Sequence, residues 1–318
     1  MAEASRVLVT GGAGFIGSHV AEMYLAEGFQ VTVLDDLSSG RRENVPAAAT
    51  FVHADVASPE TRRLVGRGGF TLVNHHAAQM DVRVSVRDPA FDARTNILGL
   101  LNLLEGGREG GVRRFVFASS GGVVYGESDR LPHPESAPKL PVSPYGVSKL
   151  ASEYYLSAYA KLYGLDVISL RYANVYGPRQ NPHGEAGVVA IFGSRLHRRE
   201  PLTIHGDGSQ TRDYVYVGDV VTANHAATHW RVPGVGTLND VAFNVGTGIE
   251  TSVNQLAQAM LDATGVSVPI QHAPARAGEL RRSAVSVERA AREWDWRPGC
   301  SLREGLKLTY EWIVEDAA

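Results

Sequence analysis

Apolar runs and small polar turns alternate along the first thirty-five residues in an order that predicts strand, glycine turn, helix, strand. Residues 6–10 (Arg-Val-Leu-Val-Thr) are followed at once by Gly11-Gly12-Ala13-Gly14-Phe15-Ile16-Gly17. Ile16, Val20 and Tyr24 then recur at helical spacing, and residues 30–35 form a second apolar run ending in Asp35. The rhythm continues, with strands expected at 50–53, 72–74, 114–118, 166–172 and 242–245. Ser58-Pro59 and Ser143-Pro144 each place a capping serine before a proline at the first helical position, and the second should open a long helix. One long helix is predicted over 88–108, with Ile97, Leu101 and Leu104 on one face. Residues 187–198 read as a helix, 202–204 and 214–217 as short strands. Ser252–Gln255 and Ser301–Glu304 fit the capping box of the last helices. Pro132, Pro134, Pro138 and Pro141 make 127–142 a loop over the site, and the Gly/Pro-rich stretch 178–187 marks a passage between domains.

Strands alternating with helices in this way predict an α/β fold: a Rossmann-type doubly wound parallel sheet with a smaller C-terminal α/β substrate domain. The expected division is 1–174, with 218–247 returning to it, for a dinucleotide-binding domain. Residues 175–217 and 248–318 would form the second.

Composition narrows the class. The 318 residues are 44% hydrophobic with a formal charge of −3 and no basic run, which argues against a nucleic-acid surface. A lone Cys300 excludes an internal disulfide framework and fits a reducing compartment. No apolar run reaches membrane-spanning length and no leader precedes the first strand, so a soluble cytoplasmic protein is expected. His75 and His76 lack metal-like partners nearby and read as packing, so no metal is expected.

The chemistry starts at the glycine turn. Helix-start amides and the helix dipole favour a phosphate, and glycine lets the backbone approach a pyrophosphate. A glycine triplet alone is also what any tight turn needs. Here the strand before, the helix after and the acid closing the second strand complete a dinucleotide fingerprint. Asp35 would accept from a ribose hydroxyl and repel a 2′-phosphate, favouring NAD over NADP. Tyr145 and Lys149 lie four apart on a predicted helix and so share a face. A tyrosine titrating near ~10 is a poor base at neutral pH, but an adjacent ammonium favours its phenolate.

The spacing Gly11, Gly14, Gly17 resembles the extended short-chain dehydrogenase/reductase superfamily. Nearly the whole chain resembles nucleotide-sugar epimerases of the UDP-glucose 4-epimerase type. The matching stretches are residues 10–17, Asp35-Asp36, Asp55-Val56, His76-Ala77-Ala78, Val124-Tyr125-Gly126 and 145–149. Later matches are residues 171–175, Arg212-Asp213-Tyr214 and 244–248. The resemblance implies bound NAD, which takes a hydride from C4 of a UDP-hexose and returns it to the other face after the 4-keto sugar rotates. Tyr145 would exchange the proton at O4, and Lys149 would hold the nicotinamide ribose. Cofactor contacts would fall on Gly11, Gly14, Phe15, Ile16, Gly17, Asp35, Asp36, Asp55, Val56, Ala77, Ala78, Gln79, Asn96, Ser119, Tyr145, Lys149 and Tyr172. Substrate contacts would fall on Arg83, Gly121, Tyr145, Asn174, Val188, Val189, Thr203, Ile204, His205, Arg212, Arg276, Glu279 and Ser283. Arg212 and Arg276 would neutralise the diphosphate. A homodimer joined through the two long helices after the fourth and fifth strands is also implied.

Two departures from the family pattern stand out. Four residues before Tyr125, where a serine or threonine usually meets O4, this chain has Gly121. Ser119 and Ser120 precede it, and successive strand residues point to opposite faces, so only one can serve. Ser120, freed by the following glycine pair, is the expected catalytic hydroxyl. Ser283 stands where narrow-specificity relatives often have a tyrosine, leaving room for N-acetylated sugars. Dehydratases and decarboxylases of the same superfamily place carboxylates before Tyr125, and this chain has none there. UDP-glucuronate 4-epimerase stays open, with Arg83 as the cation for the carboxylate. A non-catalytic NAD-binding regulator is the reading from another class, although such proteins commonly lose the tyrosine or lysine retained here.

Overall fold

The structure is a computed structural model that describes residues 5–182, 187–232, 234–275 and 280–317. β1 (Arg6–Thr10) leads through the glycine turn into α1 (Phe15–Ala26), and β2 (Gln30–Asp35) and β3 (Thr50–His53) follow. α2 (Pro59–Arg67) starts as its sequence predicts, with Ser58 accepting from the Thr61 amide and Pro59 in the first turn. β4 (Leu72–His75) comes next.

The predicted single helix over 88–108 is broken up. α3 (Val82–Arg87) precedes it, and α4 (Pro89–Ala93) passes through a π-helical turn, Arg94–Leu98, into α5 (Gly99–Gly110). The break has a local cause. Asp88 caps α4 in place of continuing α3, and the wide turn brings Asn96 onto Gln79, where it bonds both the amide and the carbonyl at 2.9 Å. β5 (Arg114–Ser120) runs two residues beyond its predicted end and reaches the serine pair.

α6 (Pro144–Tyr163) begins at the predicted serine–proline start and ends on left-handed Gly164. β6 (Asp166–Tyr172), β7 (Asn174–Tyr176), α7 (Val188–His197), β8 (Leu202–His205), β9 (Thr211–Arg212), β10 (Tyr214–Tyr216) and α8 (Val217–His229) follow. β11 (Ala242–Val245), β12 (Thr251–Ser252), α9 (Val253–Thr264), β13 (Ile270–Ala273), α10 (Glu288–Trp294) and α11 (Leu302–Asp316) complete the chain. The capping box at Ser252–Gln255 is complete, and at the start of α11 Ser301 accepts from the Glu304 amide.

Among the described residues, seven strands make one parallel sheet in the order β11-β6-β5-β4-β1-β2-β3. Two apolar clusters cover its faces, one around Val7, Val9, Ile168, Leu170 and Phe243, the other around Leu8, Leu34, Leu103, Phe115 and Phe117. A third cluster, with Phe192, Leu202, Leu256, Met260 and Leu306, packs α7, α9 and α11 with β8. β8 pairs in parallel with β13 alone in its own small sheet. Parallel strands place their C-terminal ends along one edge of the main sheet, and ligands of such sheets bind there. Thr10, Asp35, His75, Ser120 and Tyr172 all end strands on that edge.

Candidate active site

The glycine turn is shaped by close backbone contacts. Gly11 has a φ of +67°, and a Cβ there would lie 2.5 Å from the Ala77 nitrogen. A Cβ on Gly17 would lie 2.2 Å from the Gly11 carbonyl oxygen, so glycine there lets α1 close onto the turn. Gly14 caps α1 without any side-chain acceptor, which leaves the first-turn amides to an outside anion. Asp35 is buried beside this turn. Its Oδ2 accepts from the Ala13 amide at 3.0 Å and its Oδ1 from the Leu37 amide at 2.8 Å. Burial, reinforced by neighbouring Asp36, raises its pKa above the ordinary carboxylate value. The arrangement fits a dinucleotide: open helix amides for the pyrophosphate and a carboxylate one strand away for a ribose.

The other expected cofactor residues fall along the same edge. Phe15 and Ile16 open α1, Asp36 follows β2 and is exposed, and Asp55-Val56 follow β3. The Asp55 carboxylate accepts from the Ala57 amide, and the Val56 carbonyl accepts from Asn102. Ala77, Ala78 and Gln79 form the loop after β4, braced by Asn96 and by Asp92, which also takes the Ser148 hydroxyl. His75 and His76 sit at the end of the same strand, His75 against Phe117 and His76 stacked on Tyr172. Burial, with the Lys149 charge second, lowers both imidazoles, His76 to about 3, so both are neutral. Tyr172 takes its hydroxyl contacts from Asn224 and His76.

Tyr145 and Lys149 occupy the first two turns of α6. Ser143 caps this helix by accepting from the Gly146 amide at 3.1 Å. Gly146 matters as a contact. A Cβ there would lie 2.9 Å from the Val123 carbonyl, so glycine lets the 121–126 loop approach the helix start. The Lys149 ammonium lies 5.8 Å from the Tyr145 ring centroid and donates to the Ala118 carbonyl at 2.7 Å. Burial lowers its pKa to about 8, against the opposing pull of Asp92 and Glu153.

The serine pair is resolved by geometry. Ser119 donates to Glu153 Oε1 at 2.5 Å within the core, so its side chain points away from the strand's other face. Ser120 turns the opposite way. A Cβ built on Gly122 would lie 3.8 Å from Ser120 Oγ and 3.9 Å from Asn174 Oδ1, so these two polar groups border one space. Gly121 points elsewhere. A Cβ there would lie 2.7 Å from Val285 Cγ1 and 3.1 Å from the Arg171 carbonyl, against protein on β6.

Beneath the serines lies a buried polar network that sequence reasoning missed. Arg171 and Glu153 are both fully buried and paired at 2.6 Å. Burial opposes the Arg171 cation, but Glu153 and Tyr125 overcome it and raise its pKa above the usual guanidinium value. Tyr125 accepts from Arg171 at 2.9 Å and donates to Asn244 at 2.7 Å, and Asn244 donates to Glu135 from its amide. Asp213 accepts from the amides of Thr247 at 2.8 Å and Gly248 at 3.0 Å, fastening the Asn244–Gly248 turn beside Arg212. The available signal was Glu153 itself, an acid four residues past Lys149 on the same helical face.

The expected substrate residues are spread more widely. Val188 and the buried Val189 start α7, and Thr203, Ile204 and His205 lie on β8. Arg212 bonds the Thr211 carbonyl at 2.7 Å. Ser283 is buried two residues before Val285, which bridges to His133 of the proline-rich loop. Arg83 lies on α3, exposed and forked onto Asp81. Arg276 and Glu279 lie outside the described residues.

The profile of the NAD dependent epimerase/dehydratase family matches residues 7–246. A UDP-glucose 4-epimerase of Mycolicibacterium smegmatis is 46% identical over 313 residues, 97% of this chain and 98% of that one. The UDP-glucose 4-epimerase of Thermotoga maritima, solved with UDP-glucose, superposes with a TM-score of 0.94 at 45% identity, covering 98% of this chain and 100% of that one. The Thermus thermophilus enzyme of the same name, solved with NAD, gives 0.88 at 46%, covering 97% and 98%. With the glycine turn, Asp35 and the Tyr145–Lys149 pair in one fold, the chain belongs to the NAD dependent epimerase/dehydratase family.

Proposed function

We propose that this chain is an NAD-dependent UDP-hexose 4-epimerase acting on UDP-glucose and UDP-galactose. The observation that carries this is Lys149 lying 5.8 Å from the Tyr145 ring beside a strand end that offers Ser120 and no carboxylate. The similarity to UDP-glucose 4-epimerases over nearly the whole chain supports it.

NAD, when bound, would supply a reversible hydride acceptor for C4 of the sugar. The α1 amides and Asp35 would hold the dinucleotide, together with the 77–79 loop. Lys149 holds the nicotinamide ribose, and its charge favours the Tyr145 phenolate. Tyr145 removes the proton from O4 as the hydride leaves and restores it when the hydride returns. Ser120 steadies O4 throughout. Asn174 and Arg212 bind the diphosphate, and backbone near residues 203–205 meets the uracil. Residues 1–174 with 218–247 form the NAD-binding domain, and 175–217 with 248–318 form the nucleotide-sugar domain. The acid-free 121–124 segment disfavours elimination or decarboxylation, and Arg83, already on Asp81, makes a poor uronate receptor.

The protein is further proposed to be a homodimer. Leu98, Val147, Tyr154, Tyr155 and Leu162, on the π-helical turn and α6, are large apolar side chains left exposed.

Product NMR with UDP-glucose, UDP-N-acetylglucosamine and UDP-glucuronate tests the proposal. UDP-galactose should form from UDP-glucose, with transient NADH absorbance. Tyr145→Phe should turn over at least ~10²-fold more slowly while keeping its NAD. Absence of any epimer from all three sugars would sink the assignment.

A further inference from the structure

The helix pair α1 and α8 ends in a cluster that the epimerisation chemistry does not use. His225 and His229 lie four apart on α8, so their imidazoles project from one face. Glu27, the C-cap residue of α1, reaches between them. Its Oε1 lies 3.1 Å from His225 Nε2 and its Oε2 lies 2.9 Å from His229 Nε2. The imidazole centroids are 4.9 Å apart, and one ligand atom from each residue falls within 4.8 Å of the others. Zinc held at 2.0–2.1 Å by tetrahedral ligands separates them by roughly 3.3 Å, so small rotamer changes would seat the ion.

We propose that Glu27, His225 and His229 bind a divalent zinc ion that staples α1 to α8. Three further observations favour a cation here. Glu27 Oε1 is shielded from solvent and makes no hydrogen bond, although His225 is close. Both helices end at this point, so two negative dipole ends face the cluster. The ligands are also held in place from within. Tyr24 bonds Thr228 at 2.7 Å and Asn74 at 3.0 Å, and Asn74 bonds Asn224 at 3.0 Å. Thr228 and Asn224 immediately precede the two histidines, so the register of α8 against α1 is fixed before any metal arrives.

The donor set selects the metal. Two imidazoles and a carboxylate suit zinc, whereas magnesium and calcium favour all-oxygen sites. Side chains of the histidines are 54% and 56% exposed, leaving the remaining coordination position open to water. The phosphate-binding turn is at the other end of α1, roughly 18 Å away for a 12-residue helix. The ion therefore holds the helix that carries the turn and takes no part in proton or hydride transfer.

Tag-free full-length protein, stripped with chelator, would be titrated with zinc chloride by calorimetry and with cobalt chloride by visible absorption. The expected result is one zinc per chain, cobalt bands of a low-coordinate site, and a zinc-dependent rise in Tm. His225→Ala and His229→Ala should each weaken zinc at least about tenfold, and the double variant should abolish both binding and the rise in Tm. His225→Gln, which keeps size and polarity, guards against a folding defect, and circular dichroism without zinc should match the parent. Cys300→Ser should bind zinc like the parent. Absence of binding up to millimolar zinc, or binding unchanged in the double histidine variant, would overturn the proposal.

Discussion

Ser119 donates to Glu153 across 2.5 Å, from the end of β5 to the third turn of α6, and this contact orients two adjacent serines. Neighbouring strand residues point to opposite faces, so anchoring Ser119 in the core sends Ser120 toward Asn174. Glu153 thereby links the Tyr145–Lys149 helix to the strand end that carries Ser120.

Ser120→Ala should lower kcat by roughly tenfold or more, about 1.4 kcal/mol, with little change in Tm. Ser119→Ala should do the reverse. It removes a bond to a buried carboxylate, costing about 1.5–3 kcal/mol of stability while kcat falls less. Steady-state rates and melting curves of both variants check the assignment; equal kcat losses would reverse it.

Gly121→Ser should not behave as a restored family hydroxyl. Its Cβ would press on Val285 Cγ1 at 2.7 Å and on two β6 carbonyls, so the variant should be destabilised by about 1–3 kcal/mol. Introduced into Ser120→Ala, it should recover no activity. Recovery of kcat in that double variant would show that position 121 reaches the sugar after all.

Lys149 gives a pH dependence with a definite sign. Its folded pKa of about 8 lies below the ordinary 10.5, so between these values the unfolded chain binds more protons than the folded one. This contribution makes stability rise as pH climbs from about 8 to 10.5, because the cost of burying the ammonium is being relieved. Lys149→Met lacks the step. The stability of the parent relative to Lys149→Met should therefore increase between pH 7.5 and pH 10, measured by urea unfolding of both proteins. A constant difference would mean that Lys149 is not desolvated.

Asp35→Ala should weaken NAD and narrow its advantage over NADP, since on the proposed reading this carboxylate would accept from a ribose hydroxyl and repel a 2′-phosphate. The loss should exceed that of Asp35→Asn, whose single amide oxygen still accepts from one of the Ala13 and Leu37 amides. Fluorescence titrations with both dinucleotides decide it; an unchanged preference would remove Asp35 from the cofactor site.

The sheet and the placing of Tyr145 beside Lys149 were legible because each rests on local pattern. Glycine spacing, serine–proline starts and the four-residue step from Tyr145 to Lys149 are all visible within one turn of chain. What escaped depends on contacts distant in sequence. Strand alternation says that Ser119 and Ser120 diverge, but only Glu153 says which goes inward. Arg171 reads as part of a motif, and its role as the buried partner of Glu153 needs β6 placed against α6. The i, i+4 spacing of His225 and His229 is plain in the sequence, yet Glu27 is 198 residues from the nearer of them (225 − 27). The break at residues 94–98 escaped because apolar periodicity continues across it.

That break makes chain length as specific as side-chain identity. A regular helix turns about 100° per residue, so the wide turn shifts the phase of everything upstream against α5. Asp92 and Asn96 face Gln79 while Leu100, Leu103 and Leu104 stay in the core. Deleting one residue between Asn96 and Leu100 would restore an unbroken helix and keep every residue type named in the brace. It would also swing the two polar groups off the loop that follows β4, leaving a better helix and that loop without its brace.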